Sequence, residues 1–190
     1  MKKTVGILLA GGLSRRFGSP KAFARLDGKY FYERAMDALE PLCEKIVIVT
    51  LPELKDRFPG QLEVITDLPD VAGCGPLAGI LSAMDYIEAE RYIVLSCDMP
   101  YVNHHVIGKL VQLHDADVTA VNVSGRFQPL VSIWNLALKE SLKTALENKQ
   151  YKVMKLLDQF EVAWINGSEL TVDEQHVFTN VNTPTDLGRG

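Results

Sequence analysis

Short runs of apolar residues recur along the chain and predict β-strands. They are rich in valine and isoleucine, and most are apolar almost throughout. The predicted strands are Val5–Leu9, Ile46–Thr50, Leu62–Thr66, Tyr92–Ser96 and Val118–Val123. Strands of this kind are typical of a parallel sheet that is covered on both faces.

Segments with apolar residues at helical spacing separate several of these strands. They are Tyr32–Leu42, Gly79–Ala89 and His104–His114. A regular alternation of strand and helix predicts right-handed crossovers and helices on both faces of one sheet. We therefore expect a three-layer α/β/α sandwich with a mostly parallel, Rossmann-like sheet.

The last third of the chain follows a different pattern. Pro129–Trp134 is predicted as a strand that follows Val118–Val123 after the polar turn 124–126, which indicates a locally antiparallel strand at an edge of the sheet. Further along we expect helices over Leu136–Glu147 and Lys152–Gln159, strands over Val162–Ile165 and Phe178–Asn182, and a last helix that Thr183 caps and Pro184 begins.

Composition and charge narrow the class of protein. The 190 residues are 47% hydrophobic and 23% charged, which fits a single domain over residues 1–190. The net charge of −4 argues against a general nucleic-acid surface, and no apolar run approaches the ~18 residues of a membrane helix. The three cysteines form no CxxC pair, and the apolar stretch near the start is too short for a signal peptide. We therefore expect a cytoplasmic protein.

A glycine-rich, basic loop follows the first predicted strand. Its glycines let backbone N–H groups approach an anion, and Arg16 and Lys21 could neutralise phosphate charge. The segment is not a Walker A loop, because Ser19 and Pro20 separate Gly18 from Lys21, and it is not a GxGxxG motif. The position and charge of the loop favour phosphate binding over a merely solvated turn.

Two aspartates follow other strands that should end at the same edge of the sheet. Asp98 comes just after Tyr92–Ser96 and could hold Mg²⁺, which takes only one or two protein carboxylates, although an aspartate is also common in turns. Asp67 comes just after Leu62–Thr66. It precedes Gly75–Gly79, where a helix N-terminus could contact an anion or simply pack on the sheet.

Together these segments resemble the bacterial molybdenum cofactor guanylyltransferases, the MobA family, over most of the chain. The motifs that carry the resemblance are Leu9–Gly12 with Arg16 and Lys21, Gly75–Gly79, Cys97–Pro100, Gln128–Leu130 and Asn180–Pro184. The Leu9–Gly12 loop with its two basic residues and the Cys97–Pro100 motif belong to the wider nucleotidyltransferase superfamily. The Gln128–Leu130 and Asn180–Pro184 motifs favour the guanylyl branch. Gly11 replaces the alanine usual in pyrimidine-using relatives, and the missing methyl group would leave space for a purine.

The resemblance implies transfer of GMP from GTP to molybdenum-bearing molybdopterin, with Mg²⁺ as cofactor and pyrophosphate as product. Carried over residue by residue, it implies that the nucleotide lies against Leu9, Ala10, Gly11, Gly12, Lys21, Asp67 and Asp98. Arg16, Lys21 and Asp98 would be catalytic, and Asp98 would hold the metal. The pterin would be bound by Gln128, Asn180 and Asn182. Other molybdenum cofactor biosynthesis proteins and apo-molybdoenzymes would be partners.

Two alternatives stay open at this stage. One is a cytidylyltransferase or sugar-phosphate nucleotidyltransferase of the same fold. The other is a nucleotide-binding module that performs no chemistry, although the presence of both Lys21 and Asp98 argues against it.

Overall fold

The structure is a computed structural model and describes residues 3–12, 18–183 and 186. Within those residues the regular elements are β1 (Thr4–Leu9), β2 (Arg25–Leu26), β3 (Lys29–Tyr30), α1 (Phe31–Leu39), β4 (Lys45–Val49), β5 (Glu63–Ile65), α2 (Pro76–Tyr86), β6 (Arg91–Ser96), α3 (His104–Gln112), β7 (Val118–Val123), β8 (Arg126–Asn135), α4 (Lys139–Glu147), α5 (Val153–Leu157), β9 (Val162–Asn166), α6 (Gly167–Leu170) and α7 (Glu174–Val177). Short 3₁₀ turns join several of them, among them Lys21–Phe23 and Leu136–Leu138.

Seven strands form the central sheet of the described chain, in the order β5-β4-β1-β6-β8-β7-β9. All of them run parallel except β8, which is antiparallel to both of its neighbours. Strands β2 and β3 form a separate small ribbon. The sheet is mostly parallel with one locally reversed strand, as the sequence predicts.

Both faces of the sheet are covered, because successive strand residues point to opposite sides. Along β1, Val5 and Ile7 pack on the side of α2, α4 and α5, whereas Leu8 packs on the side of α1, α3 and α6. All three side chains have no solvent exposure. This two-sided burial explains the continuous apolar strand sequences and confirms the α/β/α sandwich.

Two sequence expectations are wrong in detail. The reversed strand β8 lies inside the sheet, between β6 and β7, and not at an edge. The tail Phe178–Asn182 is not a strand, because its backbone makes single bonds to scattered partners, such as Val181 N–H to the Asp98 carbonyl at 2.8 Å. Of the predicted last helix, Pro184 lies outside the described residues.

No helix in the described ranges has both the length and the apolar character needed to cross a bilayer.

Candidate active site

Four parallel strands end together at one edge of the sheet and position the candidate site. Leu9, the last residue of β1, is paired in register with Val49 of β4 and with Ser96 of β6, and Val49 is paired with Ile65 of β5. In open parallel sheets, ligands bind beyond the carboxyl ends of the strands. The residues just after these four ends therefore face a common space, called the rim below.

The backbone after β1 is held firmly by its neighbours. Ala10 N–H donates to the Val49 carbonyl at 2.8 Å, the Thr50 hydroxyl donates to the Ala10 carbonyl at 3.2 Å, and Cys97 N–H donates to the Leu9 carbonyl at 3.1 Å. These bonds extend the strand pairing of β1 by one residue on each side. The rim therefore has a rigid floor beneath Gly11.

The fold does not require a glycine at position 11. A methyl group placed on its Cα would lie 3.7 Å from the nearest atoms, which belong to Thr50 and Leu51, and that is an ordinary van der Waals distance. Its backbone also stays outside the left-handed region that glycine favours. Neither packing nor backbone conformation therefore requires glycine at this position of the rim.

Gly79, in contrast, is a packing glycine. A methyl group there would come within 2.8 Å of Leu9 Cδ2 and 3.4 Å of Val49 Cγ1. The missing side chain lets α2 approach β1 and β4 closely, just behind Leu9. Gly75, with φ of +81°, and Pro76 then set the sharp entry into α2.

Lys21 and Asp98 meet at the rim, as the sequence predicts. The Lys21 Nζ lies 3.4 Å from Asp98 Oδ2 and donates a hydrogen bond of 2.6 Å to Asn182 Oδ1. The two charged side chains are only 13% and 25% exposed, so solvent screens this pair less than an ordinary surface pair. A cation and a carboxylate thus lie side by side, close to the glycine loop.

Asp98 is the part of the site that could hold a divalent cation. Across the described ranges, no cluster of three or more His, Cys, Asp or Glu side chains could hold a metal by itself. Magnesium nevertheless fits a single carboxylate, because it keeps water and takes substrate phosphate oxygens as further ligands. The partly exposed carboxylate of Asp98 at the rim suits that mode of binding.

Asp67 lies at the same rim, and its side chain forms a hydrogen bond within its own loop. Its Oδ2 accepts a hydrogen bond from Gly73 N–H at 3.2 Å. Burial raises the pKa of Asp67 above its ordinary value, and the Gly73 bond partly offsets that rise. This carboxylate is therefore partly desolvated before any ligand arrives, which is common at functional sites.

A bulge in β8 brings the Gln128–Leu130 segment to the rim. Ala120 of β7 is paired with Ser132, but the next β7 residue, Val121, is paired with Gln128. Residues 129–131 therefore have no partner in β7 and bulge from the ladder. Bulges of this kind re-aim side chains and are frequent beside active sites.

The three residues predicted to bind the pterin make different contacts. Asn180 Nδ2 lies 3.5 Å from Gln128 Oε1, at the outer limit of a hydrogen bond. Asn182 instead contacts Lys21 and so lies beside the predicted phosphate site. The predicted catalytic residue Arg16 lies outside the described residues.

Cys97 does not have the surroundings of a nucleophile. Its side chain is buried, and burial raises the pKa of its thiol to about 12. The thiolate is therefore scarce at neutral pH, and reactive cysteines show the opposite shift. We therefore interpret Cys97 as a small residue that packs at the end of β6.

Sequence reasoning missed Asp186. Its Oδ2 accepts hydrogen bonds from the backbone N–H groups of Asn182 (2.9 Å) and Thr183 (2.8 Å) and so fixes the turn that carries Asn182. The spacing of Thr183 and Asp186 matches the capping-box pattern, in which an acidic side chain bonds back to the N–H of the cap residue. That pattern could have identified Asp186.

Comparisons with known proteins show what the chain is similar to. The model of the MobA-like NTP transferase domain matches residues 6–163. The chain is 40% identical to a probable molybdenum cofactor guanylyltransferase of Geobacillus sp., over 98% of this chain and 97% of that one. It is 37% identical to a protein of the same description from Bacillus cereus, over 96% and 93%. Among solved structures it is similar to molybdopterin-guanine dinucleotide biosynthesis protein A from Archaeoglobus fulgidus, with a TM-score of 0.80, 26% identity and coverage of 97% and 95%.

Proposed function

Because the chain belongs to the MobA-like NTP transferase family, we propose that it transfers the guanylyl group of GTP to molybdopterin bearing molybdenum. A terminal phosphate oxygen of the pterin would attack the α-phosphorus of GTP. The bond from that phosphorus to the oxygen bridging to the β-phosphate would break and release pyrophosphate. The product is the molybdopterin guanine dinucleotide cofactor.

The observation that carries this proposal is the Lys21–Asp98 pair beside the Leu9–Gly12 loop. The attacking phosphate is already an anion at neutral pH, so the reaction needs positioning and charge stabilisation more than a general base. Lys21 supplies positive charge for the phosphates, with Arg16 as a second cation. Asp98 would hold Mg²⁺, which supplies charge neutralisation on the phosphate oxygens when it is bound.

The base would lie over Leu9, Ala10 and Gly11. The rigid floor beneath Gly11 and the space left by its missing side chain support a purine there. Gly12 and Asp67 would contact the rest of the nucleotide. Gln128 and Asn180 would contact the pterin, because the β8 bulge brings Gln128 to the rim beside the end of β6.

The remaining parts of the proposal rest on sequence and family. We expect a cytoplasmic protein in which residues 1–190 form one domain. Its partners would be molybdenum cofactor biosynthesis proteins and the apo-molybdoenzymes that receive the product.

A nucleotide panel tests the guanylyl assignment. We expect calorimetry with Mg²⁺ present to show tighter binding of GTP than of CTP or UTP. Pyrophosphate release should then require GTP together with the molybdenum-bearing pterin. Equal affinity for CTP would favour the cytidylyl alternative, and binding without pyrophosphate release with any acceptor would favour the module that performs no chemistry.

A Gly11→Ala variant tests whether the preference for GTP arises at the rim. The methyl group meets no protein atom closer than 3.7 Å, so the melting temperature should stay close to that of the wild type while the preference for GTP shrinks. Gly60→Ala is the matched control, because a methyl group at that loop position meets nothing within 4 Å. An unchanged GTP preference in Gly11→Ala would place the base elsewhere.

A further inference from the structure

We infer that Asn182 is a positioning residue for the phosphate-binding Lys21, and that it acts on the nucleotide half of the reaction. This inference rests on the proposed function and departs from the pterin role that the family resemblance implies for Asn182. Its basis is the 2.6 Å hydrogen bond from Lys21 Nζ to Asn182 Oδ1, which spans 161 residues of sequence.

The ammonium of Lys21 has two partners of different kinds. Asp98 Oδ2 lies at 3.4 Å and carries a charge, whereas Asn182 Oδ1 lies at 2.6 Å and is neutral. A lysine held only by Asp98 would compete with the divalent cation for that carboxylate. A neutral acceptor orients Lys21 without neutralising it, so Asp98 stays available to the metal and the positive charge stays available to phosphate.

Asn182 is itself held in place from two sides. The preceding residue, Val181, has no solvent exposure and donates its N–H to the Asp98 carbonyl at 2.8 Å. On the other side, Asp186 accepts the N–H groups of Asn182 and Thr183. The amide oxygen is therefore presented to Lys21 by a fixed turn and not by a free tail.

Both partners of the hydrogen bond are anchored in the same small cluster of apolar residues. Val181 packs with Ala24 and Phe31, and Ala24 N–H bonds to the Lys21 carbonyl at 2.9 Å at the end of the 3₁₀ turn. Lys21 and Asn182 thus project from neighbouring points of one packed unit. That arrangement limits the freedom of Lys21 before the nucleotide binds, which lowers the entropy lost on binding.

The test is a double-mutant cycle on GTP affinity, measured by calorimetry with Mg²⁺ and without any pterin. Lys21→Ala should lower the affinity about 10- to 150-fold, the range for a hydrogen bond to a charged group. Asn182→Ala should lower it about ten-fold in the wild-type background and have little further effect in the Lys21→Ala background, because its action passes through Lys21.

Two further variants control for folding and for surface effects. Asn182 is exposed, so Asn182→Leu, which is close in size but offers no acceptor, should fold and weaken GTP binding as Asn182→Ala does. Asn148→Ala replaces an exposed asparagine at the end of α4 and should leave GTP affinity unchanged. Melting curves of all variants show whether each one is folded.

Three outcomes would overturn the inference. Unchanged GTP affinity with a raised KM for the pterin would return Asn182 to the pterin side. Equal losses in both backgrounds would mean that Asn182 contacts the nucleotide without acting through Lys21. No binding of any nucleoside triphosphate by the wild type would end both proposals. If the wild type prefers another triphosphate, the guanylyl proposal fails, and the same cycle run with that nucleotide still decides the role of Asn182.

Discussion

At the scale of single residues, Asp98 is the side chain whose charge matters most for the proposed chemistry. The contacts of Asp98 also indicate what its removal should do to stability. The carboxylate lies 3.4 Å from the Lys21 ammonium, so it is not an isolated charge whose loss would relieve repulsion. The pair is partly exposed, and ion pairs of that kind contribute only about 0–1 kcal/mol.

We therefore expect Asp98→Asn to separate activity from stability. Asparagine keeps the shape and a carbonyl acceptor for Lys21, but a neutral amide is a poor ligand for a hard cation. Guanylyl transfer should fall by about 100-fold or more, because charge neutralisation at the phosphates is worth several kcal/mol and each ~1.4 kcal/mol is tenfold in rate. The melting temperature should change little.

The measurement is the rate of transfer against Mg²⁺ concentration, with a melting curve for each protein. Asp85→Asn is a matched control, because it removes a carboxylate that lies 3.0 Å from a lysine on the surface, Lys139, away from the rim. Near-normal turnover of Asp98→Asn would mean that Asp98 only shapes a turn.

At the scale of elements, the sequence predicts most of the strands and helices because their apolar residues repeat locally. The strand Val118–Val123 has the predicted bounds, and α3 begins at His104 as expected. Helices α6 and α7 have four residues each, too few to show a helical repeat. The tail Phe178–Asn182 does not form the predicted strand, and its Val181 is buried against Ala24 and Phe31 and not in the sheet.

The site could be predicted only in part for a related reason. Motifs after strand ends locate Lys21 and Asp98 correctly at one rim, because parallel strands end on the same side. The contact between Lys21 and Asn182 depends on how the chain returns over 161 residues, which no local pattern encodes. The β8 bulge is equally hidden, since it is a shift in how β8 pairs with β7 and leaves no local pattern in the sequence.

The tail segment should therefore behave as a structural element that supports nucleotide binding. Val181→Ala removes two buried carbon atoms, which costs roughly 1–3 kcal/mol of stability from lost burial and the cavity left behind. Because Val181 sets the position of Asn182, GTP affinity should also fall while the protein is still fully folded. Urea unfolding and calorimetry at the same temperature measure the two effects.

Val172→Ala is the control for this prediction. Val172 is fully exposed, at 106% of its reference area, so its truncation should alter neither stability nor GTP affinity by a measurable amount. If Val181→Ala is destabilised but binds GTP normally, the tail contributes to folding alone.

At the scale of the whole molecule, the reversed strand unites the two halves of the sheet at one rim. Strands β1, β4, β5 and β6 bring their carboxyl ends there, and β8 brings its beginning, because it runs in the opposite direction. The residues that we propose for nucleotide binding follow the first group of strands, and Gln128, which we propose for pterin binding, lies on β8. One reversed strand is therefore enough to bring these two sets of residues to the same edge of the sheet.

The packing that builds this sheet also makes the molecule sensitive to alkali. Burial raises the pKa of the thiols of Cys43 and Cys97 from 9.0 to about 12. In the unfolded chain both thiols lose their protons near pH 9, whereas in the folded protein they keep them. The unfolded state then binds fewer protons, so the free energy of unfolding decreases as pH rises from about 9 to about 12.

This loss should be measurable and should depend on the two cysteines. Between pH 8 and pH 10 each thiol that stays protonated in the fold should lower the free energy of unfolding by about 1.4 kcal/mol. The pKa values of Tyr32 and Tyr92 are also raised by burial and act in the same direction, so the wild type alone cannot assign the effect.

Urea unfolding at both pH values, for the wild type and for Cys43→Ala/Cys97→Ala, isolates the contribution of the thiols, because the tyrosines are common to both proteins. The double variant should start less stable at pH 8, since it leaves cavities, but should lose less stability on going to pH 10. Parallel losses in the two proteins would show that the thiols ionise in the folded state as readily as in the unfolded chain.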